Sequence, residues 1–576
     1  MELPLLLAGP ILRRVDPTLA AVWLALSKEA TVTLRVWEGQ LTSRAAGETA
    51  APFVESDPEL TWRLGEELHL ILISARIPPQ AGKSFRPDTT YCYDLSIKVG
   101  DVQKPFTLKT LGMLDVASPE NAGDGIEHVA LGYEPDLLPS FAPPPSELTD
   151  LHVIYGSCRR PAHQDPDAMV WIDDYLLDQR RYKDPRARPH QLFLGGDQIY
   201  ADDVHTLHML MLMDLGQQLI GREPQPPHGP LEQIDTGRTV DRQQAGTTLP
   251  PIPREAYGGT DEDIARQPVP PQSRLPADRE HFPEGQRKDL TLRSAQFTST
   301  DGSSHLISIG EFAAMYLSVW SNAVWPREIP LARLQPDPGN PFTLPLTWTS
   351  KVSSTMTIKL PELAAAAKVP LHLYRLPETD KEKQAKTPDD IKKEQRKAQR
   401  SLRLNLGVHR DFLAGLARVR RVLANVPTYM ILDDHDVTDD FFLNPVWRER
   451  VLTTNLGQTI LRNAMLTYAL FQDWGNDPVR YDSGHRAELL TLATSLFPPG
   501  QSGPEQSACD RLDELFGHDL RNELNQAGQY DGVNPPITWS GAITNSTSRP
   551  AGSGGFGIRS SWAAGDTLPG GPRSLT

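Results

Sequence analysis

Two short apolar runs, each ending at a cluster of acidic residues, constrain the fold of this chain more than any other feature. The first run reaches Asp197 through two glycines, and the second ends directly at Asp433. Apolar residues that follow one another without alternation are typical of a strand buried on both faces. Polar groups that leave the carboxyl ends of such strands lie in the crevice where α/β proteins bind ligands. The sequence therefore predicts an α/β protein whose site combines both acidic clusters.

Four residues of these clusters have complementary chemistry: Asp197, Tyr200, Asp434 and His435. A carboxylate at the end of a strand can bridge two cations, and a phenolate suits a strongly polarising trivalent ion. Two metal ions about 3.5–4 Å apart generate hydroxide near neutral pH and hold a phosphoryl group for in-line attack. His435 is suited to protonate the leaving oxygen or to stabilise the transition state. This combination predicts a metal-dependent hydrolase.

A competing interpretation is that each cluster is a solvated loop or a set of helix caps, because Asp is common at both and Gly-Asp pairs are common in turns. For either cluster alone, that interpretation is the better one. Two clusters of this composition after two buried strands reverse the preference.

The chain predicts two structural units. Residues 1–112 indicate a small all-β sandwich, because short runs rich in β-branched and aromatic residues alternate with Gly, Pro and polar residues. From residue 150 to 539, strands and helices alternate, which predicts a layered α/β domain behind the sandwich. Strands of the sandwich are expected at 21–26, 31–37, 68–73 and 91–97, with Cys92 as a core residue. Helices are expected at 167–181, 204–220, 311–324, 410–425 and 460–474.

Three further segments stand out by composition. Residues 222–300 are rich in Pro, Gln and charge without periodicity, which predicts an insertion or lid. Residues 378–403 are dense in Lys, Glu, Gln and Arg, and a solvated helix is a better interpretation than a binding arm. Three methionines in the second helix indicate a packed core rather than a copper site: Met209, Met211 and Met213.

Composition excludes several classes of function. At 576 residues the chain exceeds the size of a single core, which agrees with two domains. Acidic residues outnumber basic ones by 73 to 58, giving a net charge of −15, so a nucleic-acid backbone is not expected as the main partner. The three cysteines form no CxxC zinc motif and no disulfide framework, which favours a reducing compartment. Neither a signal peptide nor a membrane span is recognisable, so the sequence predicts a cytoplasmic protein and defines no oligomeric state.

Three blocks of the sequence resemble the PhoD-like (alkaline phosphatase D) metallophosphatase family. They are Gly156-Ser157-Cys158, Gly196-Asp197-x-x-Tyr200 and Asp433-Asp434-His435-Asp436-Val437. Residues 9–15 and the early strands also resemble the N-terminal β-sandwich of that family. The resemblance covers most of residues 1–539, with the Pro-rich insertion as a gap. It implies an N-terminal sandwich followed by a metallophosphatase-like α/β sandwich, in which helices flank two sheets.

The resemblance also implies a role for each matching residue. Asp197 would be the bridging carboxylate, and Tyr200 and the thiolate of Cys158 would bind an iron-like ion. Asp434 would bind the second metal, and His435 would be the acid or contact the phosphate. The implied cofactor is a binuclear or larger centre of Fe³⁺ with Ca²⁺ or another divalent ion. The implied activity is that of a phosphatase or phosphodiesterase on a small phosphate ester, using metal-bound hydroxide.

Several nearby residues have more than one interpretation. Without the resemblance, Cys158 would be taken for a buried structural thiol. Arg159 and Arg160 fit phosphate neutralisation and a salt-bridged turn equally well. Five residues could contact calcium or support the metal ligands, but solvated loop positions are the better interpretation for them: Asp202, Asp203, Asp439, Asp440 and Asn444.

The sequence departs from the family pattern near its C-terminus. A Gly-Asp-Val-His type block, which completes the metal shell in that family, does not occur after Asp436. Residues 540–576 are Gly-rich and show no strand or helix period. Either the α/β domain is incomplete or a frameshift near Trp539 replaced its last segment, and the abrupt end of the resemblance favours the frameshift. Loss of core elements would expose apolar surface and lower solubility.

Two other functions compete with a phosphoric-ester hydrolase. The first is a catalytically incomplete metal-binding or interaction protein of the same fold. The second is a glycoside hydrolase that uses paired carboxylates, to which Tyr200 and Cys158 give no support.

Overall fold

The chain is described by a computed structural model. The described residues are 3–115, 129–163, 167–178, 181–221, 287, 291–292, 295–299, 302, 304–325, 343–345, 368–370, 388–442, 444–452, 454–497 and 506–518.

Fourteen strands occur in these ranges. They are β1 (Leu6–Asp16), β2 (Leu19–Leu26), β3 (Thr31–Glu38), β4 (Val54–Glu55), β5 (Glu59–Leu60), β6 (Trp62–Gly65), β7 (Leu68–Arg76), β8 (Tyr91–Lys98), β9 (Ser140–Phe141), β10 (Val153–Gly156), β11 (Gln191–Leu194), β12 (Thr343–Pro345), β13 (Lys368–Pro370) and β14 (Thr428–Met430).

Ten α-helices occur in the same ranges. They are α1 (Ser43–Glu48), α2 (Ala168–Leu177), α3 (Thr206–Ile220), α4 (Ile309–Trp320), α5 (Pro388–Asn425), α6 (Pro445–Leu452), α7 (Asn455–Tyr468), α8 (Trp474–Asn476), α9 (Gly484–Ser495) and α10 (Gln506–Phe516). A π-helical turn, Ala469–Asp473, joins α7 to α8.

The N-terminal strands form two antiparallel sheets. One sheet has the order β1-β2-β7-β6, and the other has the order β4-β3-β8-β9, with β5 also paired to β3. Their facing side chains make one hydrophobic core, and Cys92 is buried on β8 as expected. Because β9 lies at residues 140–141, the second sheet takes in chain beyond residue 112.

The β1-β2-β7-β6 sheet is buried on both faces, so the β unit shares its interior with the rest of the molecule. Along β2, Ala20, Val22 and Leu24 face the second sheet. Ala21 and Trp23 face the opposite way, into a core formed with the helices. A strand with two apolar faces must be covered on both sides, because burying apolar surface stabilises the fold by roughly 25 cal/mol per Å². The helices therefore complete the packing of this sheet.

A three-stranded parallel sheet of order β10-β11-β14 carries the acidic clusters. Residues 192–194 of β11 pair in register with 428–430 of β14, and residues 153–156 of β10 pair with 191–194. Leu192, Leu194 and Met430 are buried in the core shared with the helices. The molecule thus combines antiparallel and parallel sheets with helices, which confirms a mixed α/β architecture. Within the described ranges, β12 and β13 form a separate antiparallel pair, and the expected second sheet of the α/β layer stays a prediction.

The helices follow the sequence pattern, with shifted ends. The helix expected at 204–220 is α3, and the methionines Met209, Met211 and Met213 are buried in the core, which argues against copper ligation. The helix expected at 410–425 is the C-terminal part of α5, a single helix of 38 residues that begins at Pro388 inside the charged stretch. The charged stretch is therefore helical from that residue onward.

Part of the segment expected to be an insertion or lid packs against the core. Arg287 is buried and makes two bonds of 2.9 Å to the carboxylate of Glu311. Ala295 and Phe297 are also buried, so residues 287–299 do not behave as a free lid where they are described. The Gly-rich residues 540–576 and the proposed frameshift position at Trp539 lie outside the described residues. In the described part of the chain, no helix combines the length and hydropathy that a membrane span needs.

Candidate metal centre

The loop after β11 turns sharply at Gly196, and only glycine fits there. Gly196 has a φ of +115°, and a Cβ built on it would lie 2.3 Å from the Cβ of Asp433. The two acidic loops therefore touch through a backbone position without a side chain. This close approach brings clusters that are more than 200 residues apart in sequence into one site.

Two candidate ligands sit in a strained backbone conformation. Cys158 has a φ of +56° and Asp197 a φ of +52°, a region that costs a non-glycine residue roughly 1–3 kcal/mol. The loops that carry them are bonded to each other. Cys158 N–H donates to the Gly196 carbonyl at 3.1 Å, and Arg159 N–H donates to the Asp197 carbonyl at 3.0 Å. Strain of this kind clusters at functional sites.

Three side chains converge at the carboxyl end of the parallel sheet. Asp197, Asp434 and His435 each offer a ligand atom, and these atoms all lie within 4.8 Å of one another. Asp197 is only 3% exposed, and its Oδ1 is buried without a hydrogen-bond partner. A buried carboxylate oxygen without a partner is rare in folded proteins and is expected where an ion binds. The donor set therefore fits a metal ion.

His435 is oriented by a buried carboxylate that sequence reasoning placed among solvated loop residues. His435 Nδ1 donates to Asp202 Oδ1 at 2.8 Å. Asp202 is fully buried and also accepts from Ser299 Oγ at 2.6 Å and from Asp439 N–H at 3.0 Å. Because Nδ1 is engaged, Nε2 is the ring nitrogen left for the metal cluster. Such carboxylate–histidine pairs fix the tautomer of metal-binding imidazoles.

A second buried carboxylate, Asp436, joins the two acidic loops. It accepts backbone N–H groups from Asp197 at 2.9 Å, Gln198 at 3.0 Å and Ile199 at 3.2 Å. It also accepts the N–H of Asp433 at 3.1 Å, within a capped 3₁₀ turn at Asp434–Asp436. Sequence reasoning did not single out Asp436, because a run of four polar residues does not show which carboxylate points inward.

The remaining predicted ligands lie beside this cluster. The rings of Tyr200 and His435 stack at 4.5 Å between centroids. Cys158 is exposed, so the interpretation as a buried structural thiol is wrong. The thiol lies 3.6 Å from Ser157 Oγ, and burial and the charge of Asp197 raise its pKa, but it is outside the group of three convergent donors.

Burial and mutual repulsion shift the pKa values of the acidic residues. Burial raises the pKa of Asp197 to about 6, although Cys158 and His435 lower it, and the charges of Asp433 and Asp434 add to the increase. Burial and the charge of Asp197 raise the pKa of Asp436, whereas the backbone N–H groups that donate to its oxygens lower it and favour the carboxylate. A cation would relieve this repulsion.

The aromatic and imidazole groups respond to the same surroundings. Burial and the charge of Asp197 raise the pKa of Tyr200, so a phenolate there needs a polarising ion. For His435, burial lowers the pKa, but the bond to Asp202 and the charges of Asp202, Asp197 and Asp434 outweigh it and raise the pKa to about 9.

The two candidate phosphate-binding arginines differ. Arg159 is nearly buried and is engaged by Asp167, with its closest bond at 2.6 Å, and by the Val319 carbonyl at 2.6 Å. This geometry favours the salt-bridged turn. Arg160 is 44% exposed, pairs with Asp203 and lies 6.0 Å from the centroid of the Tyr200 ring. Arg160 is therefore the arginine that can reach a ligand at the site.

The other acidic-loop residues have local partners. Asn444 Oδ1 accepts the N–H of Trp447 at 2.8 Å and so caps the start of α6. Asp440 accepts from Thr298 Oγ1 at 3.1 Å. Asp439 is half-buried, and burial together with Asp440 and Asp202 raises its pKa. These contacts give Asn444 a structural role, and they leave calcium contacts at Asp439 and Asp440 as a prediction.

Comparison with known proteins gives one structural likeness. No protein-family model matches the chain, and no curated protein matches it. The chain is similar to a solved structure entitled "Structure of PhoD", with 8% sequence identity over 81% of this chain and a TM-score of 0.27. The similar region spans 46% of that structure's chain, so this chain covers about half of its length. A TM-score of this size does not establish a shared fold.

Proposed function

We propose that this chain is a metal-dependent phosphoric-ester hydrolase. The observation that carries the proposal is the convergence of Asp197, Asp434 and His435 at the end of a parallel sheet, with Asp197 Oδ1 buried and without a hydrogen-bond partner. A group of two carboxylates and one imidazole is suited to iron, manganese, zinc or calcium. The resemblance of the three sequence blocks to PhoD-like metallophosphatases agrees with this chemistry.

Asp197 and Asp434 would hold the metal, with Tyr200 and Cys158 as further ligands beside Asp197. His435 Nε2 would be either a third ligand of this cluster or a proton donor beside it. A bound metal ion would lower the pKa of water to near neutrality and polarise the phosphoryl oxygens. The centre is proposed to be binuclear or larger, of Fe³⁺ with Ca²⁺ or another divalent ion, as the resemblance to PhoD-like metallophosphatases implies.

The protein groups around the cluster would position the reacting atoms. Asp202 holds His435 through Nδ1, so that Nε2 either binds the metal or donates a proton to the leaving oxygen. The elevated pKa of His435, about 9, keeps the ring protonated near neutral pH and suits the second role. Arg160 lies over Tyr200 and would contact a non-bridging oxygen of the substrate. We propose a small phosphate monoester or diester as the substrate.

The test combines metal content with turnover. The purified full chain is analysed by inductively coupled plasma mass spectrometry for iron, calcium, manganese and zinc. It is then assayed with p-nitrophenyl phosphate and bis-p-nitrophenyl phosphate. Asp197→Asn removes the negative charge and one of the two ligand oxygens, so we expect it to lower kcat/KM at least 100-fold, since even outer partners of a metal site change function by about 10–100-fold.

Asp57→Asn is the control, because Asp57 is exposed on the sandwich, and we expect it to retain wild-type activity. Metal bound by the wild type without turnover of either ester would support the catalytically incomplete metal-binding protein instead. Turnover that is insensitive to chelators and to Asp197→Asn would overturn the metal-centre proposal.

A further inference from the structure

The two loops of the metal centre come from strands that are neighbours in the sheet, but the ladder ends before the ligands begin. β11 ends at Leu194 and β14 at Met430, and one more ladder bond follows, from Ile431 N–H to the Leu194 carbonyl at 3.0 Å. Beyond it, the backbone N–H groups of residues 197–199 have no strand to bond. Their geometry must therefore be set by side chains.

Asp436 supplies the missing acceptors. Its Oδ1 accepts from Gln198 N–H and Ile199 N–H, and its Oδ2 accepts from Asp197 N–H and Asp433 N–H. Each oxygen therefore accepts from two backbone N–H groups, and Oδ2 bridges the loop of Asp197 to the loop of Asp434. Only a carboxylate can accept from four donors in this way, because an amide presents a single oxygen.

Asp436 is itself held from the opposite side. Gln472 Nε2 lies 3.3 Å from Asp436 Oδ1 and donates to the Tyr316 hydroxyl at 2.9 Å. Gln472 belongs to the π-helical turn Ala469–Asp473. The sandwich holds that turn, because Arg13 donates to the Phe471 carbonyl at 3.0 Å and to the Gln472 carbonyl at 2.7 Å. Such turns are frequent near functional sites.

We infer that Asp436 is the positioning residue of the metal centre: it holds Asp197 in its left-handed conformation and fixes it against Asp434 and His435. Gln472 orients Asp436 in turn, so the sandwich sets the geometry of a site that it does not itself contain. The inference rests on the metal site proposed above, but its backbone consequence is measurable without any metal.

The first experiment follows backbone amide hydrogen exchange by mass spectrometry, using the full chain without added metal. Asp436→Asn keeps the shape of the side chain but replaces one carboxylate oxygen with an NH₂ group. Because this group is a donor, it cannot accept from the two backbone N–H groups that point at it. We expect the amides of residues 197–199 to exchange at least tenfold faster, because they lose their acceptor. The ladder amides of Leu192 and Ile431 bond to backbone carbonyls and should keep their wild-type rates.

The second experiment measures metal affinity, with Mn²⁺ as the probe and the electron paramagnetic resonance signal of the free ion as the readout. Asp436→Asn should weaken Mn²⁺ binding by roughly 10–100-fold, the range found for partners that orient metal ligands. Gln472→Leu removes one donor to Asp436 and should give a smaller change of the same sign in both experiments. It also keeps the inference testable if Asp436→Asn does not fold.

Asp513→Asn is the matched control. Asp513 is a fully buried carboxylate that pairs with Arg462 at 2.9 Å on another part of the core. The Asp513→Asn variant should be less stable, but its amides at residues 197–199 should not exchange faster and its Mn²⁺ affinity should not change. A purely structural role for Asp436 would give this control pattern, with lower stability alone.

The outcomes separate the two proposals. Unchanged exchange at residues 197–199 in Asp436→Asn overturns the positioning role, whatever the metal result. Faster exchange with unchanged Mn²⁺ affinity also overturns it, because the loop would then be loosened without effect on the ligands. Failure of the wild type to bind Mn²⁺, iron or calcium contradicts the proposed function, and the exchange experiment still decides whether Asp436 holds the loop.

Discussion

Two buried charged side chains differ in their hydrogen bonding: Arg13, where the sandwich meets the π-helical turn, and Asp197, at the end of the parallel sheet. At the first, the fully buried Arg13 guanidinium donates to the carbonyls of Thr428, Phe471 and Gln472 and to the side chain of Asn476. At the second, the nearly buried Asp197 has a carboxylate oxygen without a partner. A buried guanidinium with all its nitrogens bonded indicates a structural contact, whereas a buried carboxylate oxygen without a partner, close to other ligand atoms, indicates a place for a cation.

Backbone strain divides the two regions in the same way. The β1-β2-β7-β6 sheet relies on apolar side chains on both faces. The loops at the proposed metal centre instead keep Cys158 and Asp197 at positive φ, at a cost of roughly 1–3 kcal/mol each. The stability of the first region can therefore compensate for the strain of the second.

The largest expected effect is a loss of stability where Arg13 of the sandwich contacts the π-helical turn. Arg13→Met leaves buried carbonyls of Phe471 and Gln472 without donors, at about 1–3 kcal/mol each, and opens a cavity. We expect the free energy of unfolding to fall by about 3–5 kcal/mol, measured by urea denaturation. Arg14→Met is the neighbouring control: Arg14 is one-third exposed and paired with Asp16 and Asp477, so its loss should cost less than about 1 kcal/mol. Equal effects of the two variants would contradict this interpretation.

A glycine at the proposed metal centre gives the next largest effect. Gly196→Ala places a Cβ 2.3 Å from the Cβ of Asp433 and keeps the unfavourable φ of +115°. We expect a loss of about 2–4 kcal/mol in unfolding free energy and a loss of bound metal, because the two loops must separate. In Gly39→Ala, φ is +89° but no atom lies within 4 Å of the new Cβ, so only about 1–2 kcal/mol should be lost, with metal content unchanged.

The adjacent arginines give the smallest and most specific effect. Arg159→Met removes bonds to Asp167 and Val319 and should lower the unfolding free energy by about 2 kcal/mol with KM unchanged. Arg160→Met should leave stability nearly unchanged and raise KM for p-nitrophenyl phosphate up to about fivefold, since a half-exposed charge contributes about 1 kcal/mol or less. A higher KM in Arg159→Met alone would reverse their assigned roles.

The sequence was informative where a local pattern has a single physical cause. Uninterrupted apolar runs at β11 and β14 predict neighbouring strands buried on both faces. The strands are neighbours, but only one face of each is buried, because Phe193 and Tyr429 stay partly exposed. The helix at α3 and the core position of Cys92 followed from periodicity. The expectation of a lid fails at the described residues between 287 and 299, because the burial of Arg287 depends on its ion pair with Glu311 of α4, a contact that no local pattern encodes.

Within the site, the sequence could name candidates but not their roles. Asp202 and Asp436 look like the solvated carboxylates around them, yet one orients His435 and the other joins the two loops. Arg159 and Arg160 are adjacent and chemically identical, and only the packing against Asp167 and Val319 distinguishes them. The role of each residue depends on where its side chain points. In a loop, contacts with residues distant in the chain set that direction.

By itself, the sequence determined the mixed α/β class and the two acidic loops, because hydrophobic pattern and residue chemistry are local properties. The tertiary structure alone decided which carboxylates converge and which accept hydrogen bonds from the protein. It also decided that Asp197 Oδ1 is buried without a hydrogen-bond partner. That division has a physical reason: apolar burial is non-directional and tolerates many arrangements, whereas a metal site requires a few atoms to meet within a few ångströms. Here that meeting depends on Gly196, which has no side chain, and on Asp436, which binds both loops.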